Sequence, residues 1–132
     1  MKKGVEKLKK IVVIDPSPAH YSTLKYALEN RYEVESAKTF IDGLALMTKF
    51  PPDLVIIEPA RLSDDGHYET NDGLETIRRI KESWPSTSVI VATAVGDESS
   101  HLAIGESGAD KLITRYFGRN ELLAAIRDLI GE

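Results

Sequence analysis

The sequence predicts an α/β protein built on a five-stranded parallel sheet with helices on both faces. Three observations carry this. Short apolar runs rich in branched side chains recur along the 132-residue chain. Between them lie stretches with apolar residues at helical spacing. Turn or capping residues close each stretch. Strands alternating with helices of this length imply parallel pairing through right-handed crossovers, which leaves few topologies.

Ile11 to Ile14 is β-branched throughout and reads as a strand buried on both faces. The basic segment before it, Met1 to Lys10, holds Lys2, Lys3, Lys7, Lys9 and Lys10 and reads as a solvated lead-in rather than a nucleic-acid arm. Asp15 ends the strand. Ser17 then reads as an N-cap with Pro18 at the first helical position, where a missing N–H is harmless. Tyr21, Leu24 and Leu28 supply that helix's apolar face. Tyr32 to Ser36 is a weaker second strand. Thr39 caps a helix reaching Phe50, with Ile41, Leu44, Ala45 and Thr48 on one stripe, and Pro51-Pro52 stops it.

Leu54 to Ile57 is the third strand, ended by Glu58. A long polar connection follows, Pro59 to Asp72, with Ser63-Asp64-Asp65-Gly66 as a turn signal. Gly73 to Ser83 reads as a helix with Leu74, Ile77 and Ile80 inward, closed by Trp84-Pro85, where Trp84 is a core-edge residue. Val89 to Ala92, ending at Thr93, is the fourth strand. Ser99 to Ser107 is a short helix, and Leu112 to Thr114 is the fifth strand. Asn120 caps a last helix with Leu122, Leu123, Ile126, Leu129 and Ile130 on its apolar face. The chain is expected to form one domain over residues 1–132, with a core from about 9 to 130.

Composition narrows the function. Hydrophobic residues at 42% and charged residues at 29% describe an ordinary globular balance, and a net charge of −4 argues against broad nucleic-acid binding. Without cysteine there is no disulfide framework, Cys-based zinc site or thiol nucleophile. No apolar run approaches a membrane span and no signal-peptide pattern precedes the first strand, so a cytoplasmic address is expected. Dinucleotide, P-loop and serine-elbow motifs do not occur. His20, His67 and His101 fall in separate elements without metal-ligand spacing and read as surface residues.

In a parallel sheet the C-terminal strand ends share one edge, where sites form. Asp15, Glu58, Thr93 and Arg115 fall there, and four polar residues of opposite charge are a more specific signal than any one alone. The stretches Ile11–Asp15, Pro52–Glu58, Asn71–Glu75, Val89–Ala94 and Gly108–Arg115 follow one another in the order of a known family. The chain resembles the receiver domain of two-component response regulators over nearly its whole length. That resemblance implies a flavodoxin-like doubly wound fold with strand order 2-1-3-4-5. It also implies a signalling role in a phosphorelay rather than an enzymatic one.

The resemblance assigns roles residue by residue, and several positions depart from the pattern. The phospho-accepting aspartate falls on Glu58. Of two adjacent metal-binding acids, Asp15 is present and Pro16 replaces the other. The metal set becomes Asp15, Glu58 and Ala60, a Mg²⁺ site that is weakened or lost, since Mg²⁺ tolerates poor geometry badly. Asp64, Asp65 or Asp72 is a conceivable replacement ligand. The phosphoryl-binding hydroxyl matches Thr93. The family's lysine becomes Arg115, and the proline after it becomes Tyr116. Thr93 and Leu112 occupy the switch positions, and Leu112 is not aromatic.

Three structural expectations follow. Glu58 and Arg115 form a direct ion pair, through the planar fork of arginine. The Arg115–Tyr116 peptide is trans, since a cis bond without proline costs about 3 kcal/mol. The connection from Pro59 is longer than the family's, which reads either as a tolerated surface insertion or as a functional element beside the pocket.

Three functional readings stand: a pseudo-receiver that binds protein partners independently of phosphorylation, a working Mg²⁺-dependent phospho-receiver, and, remotely, a small enzyme or ligand binder using Asp15 and Glu58 as a carboxylate pair. Implied partners are proteins that dock on the surface of the fourth helix, fifth strand and fifth helix, from about Ser99 to Ile130. A histidine kinase and an output domain are among them. Dimerisation through the last helices would follow the family habit, and nothing in the sequence requires it.

Overall fold

The computed structural model describes residues 7–131. The elements are β1 (Lys9–Ile14), α1 (Pro18–Leu28), β2 (Tyr32–Ala37), α2 (Phe40–Lys49), β3 (Leu54–Ile57), β4 (Arg61–Leu62), β5 (Tyr68–Glu69), α3 (Asn71–Ser83), β6 (Ser88–Thr93), α4 (Glu98–Glu106), β7 (Lys111–Thr114) and α5 (Arg119–Ile130). The five long strands pair in parallel in the order β2-β1-β3-β6-β7. The numbering differs from the expected 2-1-3-4-5 because β4 and β5 form a separate antiparallel hairpin inside the connection after β3. Of the basic lead-in, Lys9 and Lys10 belong to β1, whereas residues 1–6 lie outside the described residues.

The period-2 alternation of the strands divides the core into two layers. Ile11, Val13, Leu54, Ile56, Ile90 and Ala92 pack with Leu24 and Leu28 of α1 and Leu122, Leu123 and Ile126 of α5. Val12, Ile14, Val55, Ile57, Val89 and Val91 face the other way, onto Met47 of α2, Leu74, Ile77 and Ile80 of α3, and Ile104 of α4. This is why β1 and β3 read as continuous apolar runs: each successive side chain enters a different core.

The helix caps follow local chemistry, with corrections. Ser17 accepts from His20 N–H and Thr39 from Asp42 N–H, as their sequence positions imply. The last helix begins at Arg119 with Gly118 at the N-cap, not at an Asn120 cap, and no side chain caps it. Helix α2 presents Gly43 and Met47 inward, while Ile41, Ala45 and Thr48 are exposed and Leu44 is half-buried. The expected stripe was wrong because glycine carries no apolar signal. Yet Gly43 lies against Ile14, where any Cβ would collide with that side chain, so the helix approaches β1 closely at a residue that has no side chain.

Candidate functional site

Three of the four polar residues of the sheet edge are held by a bond that extends the strand ladder, and the fourth, Thr93, ends β6 itself. Asp15 N–H donates to Ala37 O, Glu58 N–H to Ile14 O and Arg115 N–H to Thr93 O, at 3.1, 3.0 and 2.9 Å. The four residues named from the sequence therefore meet at one mouth. They line a cleft of about 480 Å³ together with His20, Arg61, Tyr68 and Tyr116. The cleft lies outside the carboxyl ends of the parallel strands, where sites in such sheets form.

Asp15 is the most heavily bonded member. Its Oδ1 accepts from Ser17 N–H at 2.9 Å, and its Oδ2 accepts from Arg115 Nη2 at 2.8 Å. His20 Nδ1 lies 3.0 Å from the same Oδ2. A carboxylate paired with a guanidinium only accepts, so Nδ1 is the protonated nitrogen of His20. Both side chains of the Asp15–Arg115 pair are withdrawn from solvent, at 2% and 5% exposure.

Glu58 and Arg115 form the expected ion pair, but without a hydrogen bond between them. Arg115 Nε stands 3.7 Å from Glu58 Oε1, beyond hydrogen-bond reach, because the fork is committed to Asp15. Arg115 Nε is buried without a hydrogen-bond partner. Glu58 Oε2 instead accepts from Ala60 N–H at 3.2 Å. Burial raises the Glu58 carboxyl above its ordinary value, while the Thr93 hydroxyl, the Ala60 N–H and the Arg115 charge pull the other way.

The Arg115–Tyr116 peptide is cis, not trans. The expectation weighed only the local preference, whereas Arg115 is held by tertiary bonds at its N–H and its guanidinium. Tyr116 itself is exposed, with its ring edge-on to His20. Leu112 is half-buried against the second core layer. Asp64 and Asp65 sit at the exposed hairpin tip, where Asp65 is bonded by Ser63 and His67. They and the exposed Asp72 do not line the cleft.

Two site residues were missed. His20 is not a free surface residue, and the signal for it was present. A Ser17 cap turns the first helical turn back over Asp15, five residues earlier. Arg61 was passed over because the connection lacks periodicity. Its Nη1 donates to Glu58 O at 2.6 Å and to Ala60 O at 2.8 Å, and its guanidinium lies 3.9 Å from the Phe40 ring centroid. Burial lowers its pKa, and the charges of Asp15 and Glu58 counter this. The five-residue turn Ser63–His67 containing Gly66, flanked by Leu62 and Tyr68, was a readable turn signal.

The donor set does not fit a divalent cation. Mg²⁺ needs several free oxygens in near-octahedral array. Here both Asp15 oxygens are engaged, Pro16 offers no carboxylate, and two guanidinium groups stand in the site. Among the described residues, no group of three or more acidic, histidine or cysteine side chains is placed to hold a metal.

Comparison with known proteins agrees with this fold. The Response regulator receiver domain family matches residues 11–127. The chain is 27% identical over 126 residues to Chemotaxis protein CheY of Halobacterium salinarum, covering 92% of this chain and 97% of that protein. It is 32% identical over 118 residues to Transcriptional regulatory protein KdpE of Mycobacterium tuberculosis, covering 89% of this chain but 49% of that protein. It thus spans nearly all of the first and about half of the second. A response regulator from Thermotoga maritima superposes with a TM-score of 0.81 at 26% identity, covering 95% of this chain and 99% of that one. A parallel sheet with an acidic and basic cleft at its carboxyl edge defines a receiver-type signalling module. The chain belongs to the response regulator receiver domain family.

Proposed function

We propose that this receiver domain is a phosphorylation-independent protein-interaction module, held in one state by its own cleft. One observation carries the reading: the buried Arg115–Asp15 pair at 2.8 Å occupies the carboxylate that would otherwise hold the metal. Phosphoryl transfer in this class is positioning and charge stabilisation around such an ion. Glu58 in the acceptor position and Pro16 beside Asp15 support the same conclusion. Output then passes through the α4–β7–α5 face to a protein partner such as a kinase or an output domain, and Leu102 of α4 is exposed there. The site of action is cytoplasmic, in keeping with described helices too short and polar to cross a membrane.

An amide NMR titration with Mg²⁺, then Mg²⁺ with beryllofluoride, tests this. The expected result is no shift at Asp15, Glu58, Ala60 or Thr93 at millimolar Mg²⁺. Shifts there that spread into α4 would overturn the reading in favour of a working phospho-receiver. Glu58→Asp with Pro16→Asp is expected to restore some Mg²⁺ response.

A further inference from the structure

We propose that Arg61, delivered by the β4–β5 hairpin, is an internal counter-cation that replaces a divalent ion in this cleft. The inference rests on the metal-free reading above and names a second residue, beside Arg115, that enforces it. The resemblance implies three metal-ligating groups, the Asp15 carboxylate, the Glu58 carboxylate and the Ala60 carbonyl. Each is taken by an internal donor. Arg115 Nη2 holds Asp15 Oδ2, and Ala60 N–H holds Glu58 Oε2. Arg61 Nη1 holds Ala60 O and, beside it, Glu58 O. Arg115 replaces a cation the family already has in the form of lysine. Arg61 is the added one, and it comes from the segment that lengthens the connection.

The charges agree with the geometry. Asp15 and Glu58 supply two negative groups, and Arg115 and Arg61 supply two positive ones. The cleft is balanced without a dication, and a dication entering it would meet two fixed guanidinium groups. Arg61 is secured by its stack on Phe40 at the start of α2, so the hairpin and the second core layer hold it jointly. Both carbonyls are held by the same nitrogen, Nη1, and Nη2 is buried without a hydrogen-bond partner, so the cleft uses the charge of Arg61 rather than its fork.

Mn²⁺ is the probe, read as paramagnetic broadening of the Asp15, Glu58 and Thr93 amides in the full chain. In the native protein these signals are expected to persist. Arg61→Gln removes the charge and frees Ala60 O. Its Mn²⁺ affinity at these amides should tighten by roughly tenfold or more, the scale on which a neighbouring unit charge moves a carboxylate's proton affinity. Phe40→Leu loosens the guanidinium without removing it and should give a smaller gain, which keeps the test decisive if Arg61→Gln fails to fold. Arg61→Lys should stay silent. A silent native chain with equally silent Arg61→Gln and Phe40→Leu would overturn the proposal and leave the metal-free reading standing. Broadening in the native chain would overturn that reading itself.

Discussion

Glu58 reaches Ala60 and Thr93 but stays 3.7 Å from Arg115, and its environment is dominated by lost hydration. Its folded pKa lies above the ordinary 4.5. A carboxyl raised on folding binds its proton more tightly in the folded than in the unfolded state. Its contribution to stability is therefore fully present below pH 4.5 and is lost as pH rises through the folded value. The native protein should lose stability over that window, and Glu58→Gln should flatten that part of the profile. Thermal unfolding from pH 4 upward, native against variant, checks this. An unchanged slope in the variant would assign the loss to other groups. No such inversion could be read from the sequence, which shows an acid at a strand end but not the donors around it.

Among the elements, the first turn of α3 controls where the site's backbone runs. Gly73 lies against Pro59, and a Cβ there would strike the Pro59 backbone rather than a side chain that can rotate away. Alanine would gain about 1 kcal/mol in helix propensity. Overpacking against rigid backbone costs about 1–3 kcal/mol, so the clash should win. Gly73→Ala should unfold at lower urea and shift the amides of Glu58, Ala60 and Arg61, which flank or follow the displaced proline. Loss of stability without those shifts would separate α3 packing from the site. Element existence was legible wherever burial is uniform: Ile11–Ile14 and Leu54–Ile57 enter both cores and admit few alternatives. The face of α2 was not, since its closest contact is Gly43. The turn of the β4–β5 hairpin was readable, but its two strands were hidden for a related reason. Its cross-strand neighbours Leu62 and Tyr68 are exposed, so no hydrophobic period marks them.

Across the whole molecule, stability is distributed unevenly, and the uneven part coincides with the lock on the cleft. Strands β1, β3 and β6 are buried between two core layers and should exchange their amides only through global unfolding. The hairpin has two-residue strands with exposed side chains, closed by the Ser63–His67 turn. Its opening should cost a small fraction of the global free energy, itself about 5–15 kcal/mol for a domain of ordinary stability. Native-state hydrogen exchange should show the Ser63 and His67 amides opening far more readily than those of Val12, Val55 and Val91. Arg61→Gln should lower hairpin protection further and leave the core strands unchanged, because Arg61 ties the hairpin to Phe40 and to the carbonyls after β3. Equal protection in hairpin and core would mean that the counter-cation is released only when the domain unfolds. Unequal protection would mean that a partner gripping the hairpin could withdraw Arg61 and free the Ala60 and Glu58 carbonyls while the sheet stays intact.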